Sequence, residues 1–318
     1  MRKNEDNKQP NSSFLYSINH ATKEDILPKA EDEPHRESNL SEIIRKIFFV
    51  IFVCIIVLSL YSIFDTLSGY RKAEDFYDNM HTALDSGYNE SAVAFSSRIA
   101  SLDPFSVSNG AGKTQMQAYN ELFARMRARI RSIQTINKDV FAWIVVPGTD
   151  NIDYPVLQGV DNDYYLDHEY NHGYLQAGSI FADYHCDRDT NGNFNTVIYG
   201  HNMQNGLMFS ELIKFMDEEF FRNNEYVYLY TEKGMFTYRI FSAYKTDYKY
   251  KYIETGFPSA ADFVDFAYEM KANSLYERDG VEFNENDRIL TLSTCTNGTW
   301  SDRYCVQAVL INSYNSPD

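Results

Sequence analysis

Three residues whose types can together catalyse acyl transfer stand at the ends of short apolar segments. An apolar run at residues 196–199 is followed by Gly200 and then by His201. Cys295 comes directly after the apolar run at residues 289–294. Arg303 comes after Cys295 and a turn-forming Thr-Asn-Gly-Thr segment. Both runs predict strands, and residues at strand ends point into loops and grooves on a rigid support. Cys295 and Arg303 flank one hairpin connection, so we expect them to lie close together.

A cysteine, a histidine and an arginine suit attack on a peptide carbonyl through a thioester. The thiolate is the nucleophile, and a nearby cation lowers the pKa of the thiol. A histidine titrates near neutrality and can protonate a leaving amine, whereas an arginine stays charged and can stabilise an oxyanion. Taken singly, Cys295 reads as a small core residue, His201 as a core or turn histidine and Arg303 as a surface charge. Their joint placement at strand ends favours catalysis.

Two other groups of residues were considered as metal sites. Asp187, Asp189 and Asn191 match the opening of a calcium-binding loop, but Ile198 occupies the twelfth position, where a bidentate glutamate is needed. A plain turn is the favoured interpretation, and calcium is the weaker one. The segment with His168, His172, His185 and Cys186 matches no zinc spacing, so a polar loop is predicted there.

The chain has four cysteines and no C-x-x-C pair, so neither a disulfide framework nor a structural zinc site is expected. Cys305 lies two residues beyond Arg303 and therefore on the same strand face. We expect it to fill the core. The alternative is a disulfide between Cys305 and Cys295, which would leave Cys295 without the free thiol that it needs as a nucleophile.

The elements that must position these residues are mostly short strands. High tyrosine and phenylalanine content, 25 and 22 residues, fits pleated surfaces. Strands are predicted at residues 140–146, 152–158, 179–184, 196–199, 226–231, 235–246, 289–294 and 304–313, with a hairpin turn at Lys233-Gly234. Turn signals between them indicate an antiparallel barrel or sandwich. Helices are predicted at residues 207–217 and 261–276, the second with a buried stripe of Phe263, Phe266, Ala267 and Met270.

Helices are also predicted before the strands, at residues 71–85, 90–102 and 114–136. The last has an apolar stripe at three- and four-residue steps: Tyr119, Leu122, Phe123, Met126, Ile130 and Ile133. Its arginines, Arg125, Arg127, Arg129 and Arg131, are predicted to form a solvated face. Contact with a cell-wall polymer is the minority interpretation.

An apolar run at residues 47–64 is long enough to cross a bilayer as a helix, and Arg45 and Lys46 precede it. Its length and position argue against a cleaved signal peptide. Because more basic residues lie before the run than after it, the N-terminus is predicted to be cytoplasmic and the rest extracellular. The net charge of −16 argues against nucleic-acid binding.

Four regions are therefore predicted: a disordered cytoplasmic tail at residues 1–46, a transmembrane signal anchor at 47–64, an extracellular helical linker at 65–136 and a catalytic domain at 137–318.

The motifs of the outer region resemble the sortases, and the class B sortases of Gram-positive bacteria in particular. The resemblance rests on Thr291-Leu-Ser-Thr-Cys295 with Arg303 downstream and on Tyr199-Gly-His-Asn-Met203 upstream. It extends to Phe141-Ala-Trp-Ile-Val-Val-Pro-Gly148, Ile152-Asp-Tyr-Pro-Val156, Asp161-Asn-Asp-Tyr-Tyr165 and Ala177-Gly-Ser-Ile180, and to a helix-bearing insertion before the cysteine strand. It covers about residues 136–313.

The resemblance implies an eight-stranded β-barrel with N-terminal helices and a membrane-anchored cysteine transpeptidase. Such an enzyme cuts the C-terminal sorting motif of surface proteins after a threonine and joins the carbonyl to an amine of a peptidoglycan precursor or of a pilus subunit. Carried over by motif, Cys295 attacks, His201 transfers the proton and Arg303 stabilises the oxyanion. Ser293 and Thr294 would line the substrate groove, and no cofactor is implied.

Two competing functions remain. An L,D-transpeptidase has a histidine only a few residues before its cysteine, whereas His201 and Cys295 are far apart, and a papain-like peptidase has the reverse order of the two residues. A membrane-tethered binding domain without activity is the non-enzymatic alternative, and it would gain support if Cys295 did not react with alkylating agents.

Overall fold

The computed structural model describes residues 39–88, 90, 94, 113–295 and 301–315. The chain divides into two units, Met1–Ile63 and Phe64–Asp318. Of the described helices and strands, the helices are α1 (Asn39–Asp85), α2 (Lys113–Gln134), α3 (Glu218–Asn223) and α4 (Ala260–Ala272). The strands are β1 (Val140–Val145), β2 (Asp153–Leu157), β3 (Ile180–Ala182), β4 (Asn195–Tyr199), β5 (Tyr226–Thr231), β6 (Gly234–Asp247), β7 (Ile289–Cys295) and β8 (Asp302–Asn315).

The first helix differs from its prediction in both bounds. α1 begins at Asn39, inside the predicted disordered tail, and continues without a break through the apolar run and the predicted helix at residues 71–85. Helix propagation adds one hydrogen bond for each residue fixed, so polar residues on either side of an apolar run extend its helix readily. Residues 1–38 and most of the predicted helix at residues 90–102 lie outside the described residues.

The eight strands close into a barrel in the order β1-β2-β3-β4-β7-β8-β6-β5, as the barrel prediction required. The antiparallel arrangement was wrong, because β2 pairs with β3 and β4 pairs with β7 in parallel. Parallel neighbours need a long crossover, and the connections from β2 to β3 and from β4 to β7 are both long. Turn-forming residues in the sequence predict hairpins between consecutive strands, such as β5 and β6. They do not predict which strands far apart in the sequence pair with each other.

Two hydrophobic clusters hold this unit together. The larger one fills the barrel and includes the predicted stripe of α2, which is buried throughout. The smaller one lies where the predicted stripe of α4 packs beside Phe241 and Tyr244 of β6 and Cys305 and Val309 of β8. Ser259 caps the N-terminus of α4, and its hydroxyl accepts a hydrogen bond from the backbone N–H of Asp262. The predicted helix at residues 207–217 is a 3₁₀-helix, Ser210–Met216.

The prediction of a solvated arginine face on α2 was wrong for two of its four arginines, whereas Arg131 is exposed. Arg125 and Arg129 are buried, and both donate hydrogen bonds to Asp85 near the end of α1. Arg129 also lies 3.3 Å from the buried carboxylate of Asp153 on β2. Only a tertiary fold can bring these carboxylates to the helix, so the sequence pattern of α2 could not reveal the pairing.

The loop considered for calcium is a tight turn whose carboxylates bind backbone groups. Asp187 accepts a hydrogen bond from the N–H of Asp189, and Asp189 accepts one from the N–H of Asn191. Among the described residues, no group of three or more His, Cys, Asp or Glu side chains could hold a metal ion.

Candidate active site

The strand pairing brings the predicted site residues to one end of the barrel. β4 and β7 run in parallel with Tyr199 opposite Ser293, so His201 and Cys295 each lie two residues beyond this pair. β7 and β8 are antiparallel with Cys295 opposite Arg303. Neighbouring strands are about 4.8 Å apart, so the register places the backbones of all three segments side by side.

A cavity of about 260 Å³ opens at this end of the barrel. Four predicted residues line it: His201, Arg303, Ser293 and Thr294. The rest of the wall is largely aromatic and apolar, and it includes Leu166, Phe181, Tyr199, Tyr248, Tyr252 and Ile253. Apolar walls with a few convergent polar groups are typical of ligand sites. Cys295 ends β7 beside this cavity, and the turn at residues 296–300 lies outside the described residues.

One hydrogen bond fixes the imidazole of His201. Its Nε2 lies 2.6 Å from the carbonyl oxygen of Leu166, and a carbonyl can only accept, so Nε2 carries the proton. The backbone oxygen of His201 in turn accepts a hydrogen bond from the N–H of Phe209 at 2.9 Å. Nδ1 is thereby the ring nitrogen left available for a ligand.

Arg303 is positioned by contacts on its own strand and on the loop after β6. Its Nη1 donates to the carbonyl oxygen of Asp302 at 2.9 Å, and its guanidinium carbon lies 5.8 Å from the centroid of the Tyr248 ring. The side chain is partly exposed and lines the cavity. A guanidinium held in this way presents a fixed positive charge to a ligand there.

The two hydroxyls before Cys295 differ in their surroundings. The Oγ of Ser293 lies 2.8 Å from the hydroxyl of Tyr252, and both side chains are buried. The Oγ1 of Thr294 is buried and has no hydrogen-bond partner in the described part of the chain. A buried hydroxyl without a partner costs free energy, so a polar group of a ligand would stabilise it.

Behind Ser293, a buried polar network attaches the loop that carries Tyr252 to the barrel. Thr291 donates from its hydroxyl to the Oδ1 of Asn195 at 2.8 Å, and Gln307 donates to the hydroxyl of Thr291 at 3.1 Å. Gln307 also reaches the carbonyl oxygen of Tyr252 at 3.5 Å. These residues belong to three strands and one loop, so their association depends on the pairing of the strands.

A second network is centred on Asp183, directly after β3. Its Oδ2 accepts hydrogen bonds from the hydroxyl of Tyr199 at 2.8 Å and from the amide of Asn162 at 2.9 Å. Its Oδ1 accepts one from the N–H of His185 and lies 2.8 Å from the Nδ1 of the same residue. Burial alone would raise the pKa of Asp183, but these hydrogen bonds outweigh it and lower the pKa. The residue anchors two side chains of the cavity wall.

Signals for these additional wall residues were present in the sequence. Tyr199 and Asn162 lie inside the two quoted motifs at residues 199–203 and 161–165. Asp183 and Tyr252 lie in no quoted motif, and only their contacts reveal them.

The other two cysteines of this unit are buried thiols. Cys305 is a free cysteine, fully buried in the cluster beside α4, and burial raises the pKa of its thiol. Burial also raises the pKa of Cys186 to about 11, although a hydrogen bond from the N–H of Val197 opposes the shift. Both therefore stay protonated at neutral pH.

Comparison with known proteins agrees with this geometry. A model of the sortase domain matches residues 144–311. The chain belongs to the sortase family. It is 42% identical over 186 residues to sortase B of Listeria monocytogenes, which covers 57% of this chain and 73% of that protein. It is 36% identical over 170 residues to sortase B of Staphylococcus aureus, which covers 54% of this chain and 68% of that protein.

Solved structures lead to the same class. Sortase B of Clostridium perfringens is 41% identical and has a TM-score of 0.55, covering 57% of this chain and 99% of that one. A substrate complex of Staphylococcus aureus sortase B is 33% identical, has a TM-score of 0.56 and covers 63% of this chain and 94% of that one. The class B resemblance and the barrel prediction are confirmed, and this sortase is a cysteine transpeptidase. The roles of the individual residues remain predictions.

The unit Met1–Ile63 contains the predicted anchor. Among the described residues, one helix is long and apolar enough to cross a membrane, with a mean hydropathy of 3.0 in its most apolar window. None of that window is buried in the protein, and its large apolar side chains are exposed. This sortase therefore fits anchoring by a single membrane span.

Proposed function

We propose that this sortase cleaves a C-terminal sorting motif of surface proteins after a threonine and transfers the threonyl acyl group to an amine. One observation carries the proposal: His201, Arg303, Ser293 and Thr294 line one cavity at the barrel end where Cys295 faces Arg303 across the β7–β8 pair. A nucleophile, a proton carrier and a fixed cation are the groups that acyl transfer through a thioester requires.

In the first step, the thiolate of Cys295 attacks the threonine carbonyl and a carbon–sulfur bond forms. The negative charge that develops on the carbonyl oxygen lies beside Arg303, whose guanidinium stabilises it. When the carbon–nitrogen bond breaks, His201 gives the proton on Nδ1 to the leaving amine. The hydrogen bond from Nε2 to Leu166 supports this assignment because it holds the ring in one orientation.

In the second step, an acceptor amine attacks the thioester. Its proton passes to His201, a new amide bond forms and the sulfur of Cys295 leaves as the thiolate. Oxidation states do not change, and the steps need no cofactor. A calcium ion at Asp187, Asp189 and Asn191 remains a weak prediction of the sequence, because these residues match only the opening of a calcium loop.

The partners we propose are surface proteins that carry a sorting signal, and a peptidoglycan precursor as the source of the acceptor amine. A lysine of a pilus subunit is the alternative acceptor. The basic residues before the apolar run support a cytoplasmic N-terminus and an extracellular catalytic domain, which is where these partners are found.

The test uses the full-length protein in detergent with a library of quenched sorting-type pentapeptides and an added amine. Mass spectrometry reads both cleavage and ligation, and Cys295→Ala is the control. We expect a ligated product that contains the threonyl acyl group, a transient adduct on Cys295 and neither species with the variant.

Other results would argue for the competing functions. Cleavage without ligation for every amine tested would indicate a hydrolase. If the folded protein formed neither product nor adduct, an inactive binding domain or a different substrate class would be favoured. Ligation that persisted in Cys295→Ala would remove Cys295 from the mechanism.

A further inference from the structure

A second, larger cavity adjoins the candidate active site. It has a volume of about 520 Å³ and is lined mainly by the segment that follows β6, residues 248–251 and 253–256, together with Asp183 and His185. It shares Tyr248 and Ile253 with the site cavity, but His201, Leu166 and Arg303 line only the first one. The two cavities therefore adjoin at Tyr248 and Ile253, and His201 lines only the first of them.

We propose that this second cavity binds the part of the donor chain that precedes the sorting motif, as an extended peptide. This inference rests on the proposed function, in which His201 protonates the leaving amine. The donor residues after the cleaved bond then leave as an amine on the side of His201. The residues before the cleaved bond, which form the acyl group, must extend away from His201. Tyr248 and Ile253 form the boundary that the chain crosses on that side.

Chain length supports the same conclusion. An extended peptide rises about 3.3 Å per residue, so the four residues before the cleaved bond span about 13 Å. The site cavity has a volume of only about 260 Å³. Residues further upstream are therefore expected to lie beyond it, and the larger cavity adjoins it at Tyr248 and Ile253.

The wall of the second cavity is held in place before any ligand binds. Hydrogen bonds run from the N–H of Tyr248 to the carbonyl of Ser301 at 2.8 Å and from the N–H of Tyr250 to that of Asp247 at 3.0 Å. The hydroxyl of Tyr250 accepts a hydrogen bond from Asn273, just after α4, at 2.7 Å. Asp183, which also lines this cavity, is fixed by its four hydrogen-bonding contacts. A preformed wall reduces the entropy that peptide binding costs.

Gly256 allows the cavity to be filled without touching the site. An added Cβ at Gly256 meets no atom within 4 Å, and the residue lines only the second cavity. Gly87 also leaves an added Cβ without a neighbour within 4 Å, and it lines neither cavity. Gly256→Trp is therefore the blocking variant, and Gly87→Trp is its matched control.

The experiment compares kcat/KM for the pentapeptide selected from the library with kcat/KM for the same peptide carrying four extra upstream residues. For the unaltered protein we expect the longer peptide to be better by about tenfold, since remote contacts supply binding energy to the reacting centre. Gly256→Trp should reduce this ratio to about one while cleavage of the pentapeptide stays unchanged. Gly87→Trp should keep the ratio.

Two results would overturn the inference alone: equal kcat/KM for both peptides with the unaltered protein, or a ratio that survives in folded Gly256→Trp. If neither peptide is cleaved, the proposed function fails, and the inference fails with it. A second measurement needs no variant: a photoreactive residue placed three positions upstream of the motif should crosslink to residues 248–256. Crosslinks confined to residues 158–169, beside His201, would reverse the proposed direction and overturn the inference.

Discussion

At the scale of single residues, the environment of each cysteine decides whether it reacts. Cys186 and Cys305 are both buried, and burial raises the pKa of both thiols. With a pKa of about 11, only about one thiol in ten thousand at Cys186 is ionised at pH 7. Cys295 instead ends a strand and is the register partner of Arg303, and the proposed mechanism requires it to react as the thiolate.

We therefore predict selective alkylation in the folded protein. Iodoacetamide at pH 7 should modify Cys295 at least about a hundredfold faster than Cys186 or Cys305, because only the thiolate attacks. Peptide mapping by mass spectrometry follows each site, and denaturant should equalise the three rates. Equal rates for Cys305 and Cys295 in the folded state would contradict the buried position of Cys305, and an unreactive Cys295 would favour the inactive binding domain.

Asp183 gives a prediction for the dependence of stability on pH. The pKa of Asp183 is lower in the folded state than in the unfolded state, so the unfolded state binds more protons as the pH falls. The contribution of Asp183 to the free energy of unfolding is therefore lost as the pH falls through the pKa of the folded state. The contribution is fully present above the ordinary aspartate pKa of about 3.9. Asp183→Asn should lower the free energy of unfolding by about 1–3 kcal/mol at pH 7. The hydrogen-bond donors of Asn162, His185 and Tyr199, which now pair with a carboxylate, would pair with a neutral amide instead.

Denaturant unfolding measured from pH 7 to pH 3 tests this expectation. The difference between Asp183→Asn and the unaltered protein should be constant from pH 7 to about pH 5 and should shrink below it. Asp163→Asn is a suitable control, since Asp163 is exposed. A difference that grew as the pH fell would mean that Asp183 is not stabilised as the carboxylate.

At the scale of elements, buried charges attach the first two helices to the barrel. Arg129 of α2 contacts Asp85 of α1 and Asp153 of β2, and its guanidinium carbon lies 4.9 Å from the centroid of the Trp143 ring on β1. Both Arg129 and Asp153 are almost fully buried. Such a cluster is a weak source of net stability, but removing one partner leaves a buried charge uncompensated.

Arg129→Ala should accordingly destabilise the protein by about 3–5 kcal/mol. Arg131→Ala is the matched control on the same helix, where the exposed pair with Glu232 at 3.2 Å should contribute no more than about 1 kcal/mol. Thermal or denaturant unfolding measures both changes. Similar small losses for the two variants would show that the contacts of Arg129 are open to water.

At the scale of the whole molecule, the prediction concerns orientation. The apolar run at residues 47–64 is expected to cross the membrane with the N-terminus inside, because the basic residues Arg45 and Lys46 directly precede it. In intact protoplasts, an added protease should digest the catalytic domain and leave an epitope fused to the N-terminus protected. Protection of the catalytic domain together with loss of the epitope would reverse the orientation, and lysed protoplasts provide the control in which both are digested.

Much of this protein was predictable because its signals are local. The apolar run at residues 47–64, the stripes of α2 and α4 and the β5–β6 hairpin depend on spacings within a few residues. The motifs around His201 and Cys295 are equally short, and they were sufficient for the family and its barrel. The sequence by itself thus determined the strands, most of the helices, an apolar helix long enough to cross a membrane and the types of residue available for acyl transfer.

Only the tertiary structure decided how distant segments meet. The parallel pairing of β4 with β7 brings together the strands that lead to His201 and Cys295. The antiparallel expectation missed this pairing because turn signals carry no information about strands far apart in the chain. The burial of Arg129 and the gathering of Asn162, Tyr199 and His185 around Asp183 have the same origin. Their partners come from other elements, and burial makes those contacts strong only after the barrel has closed.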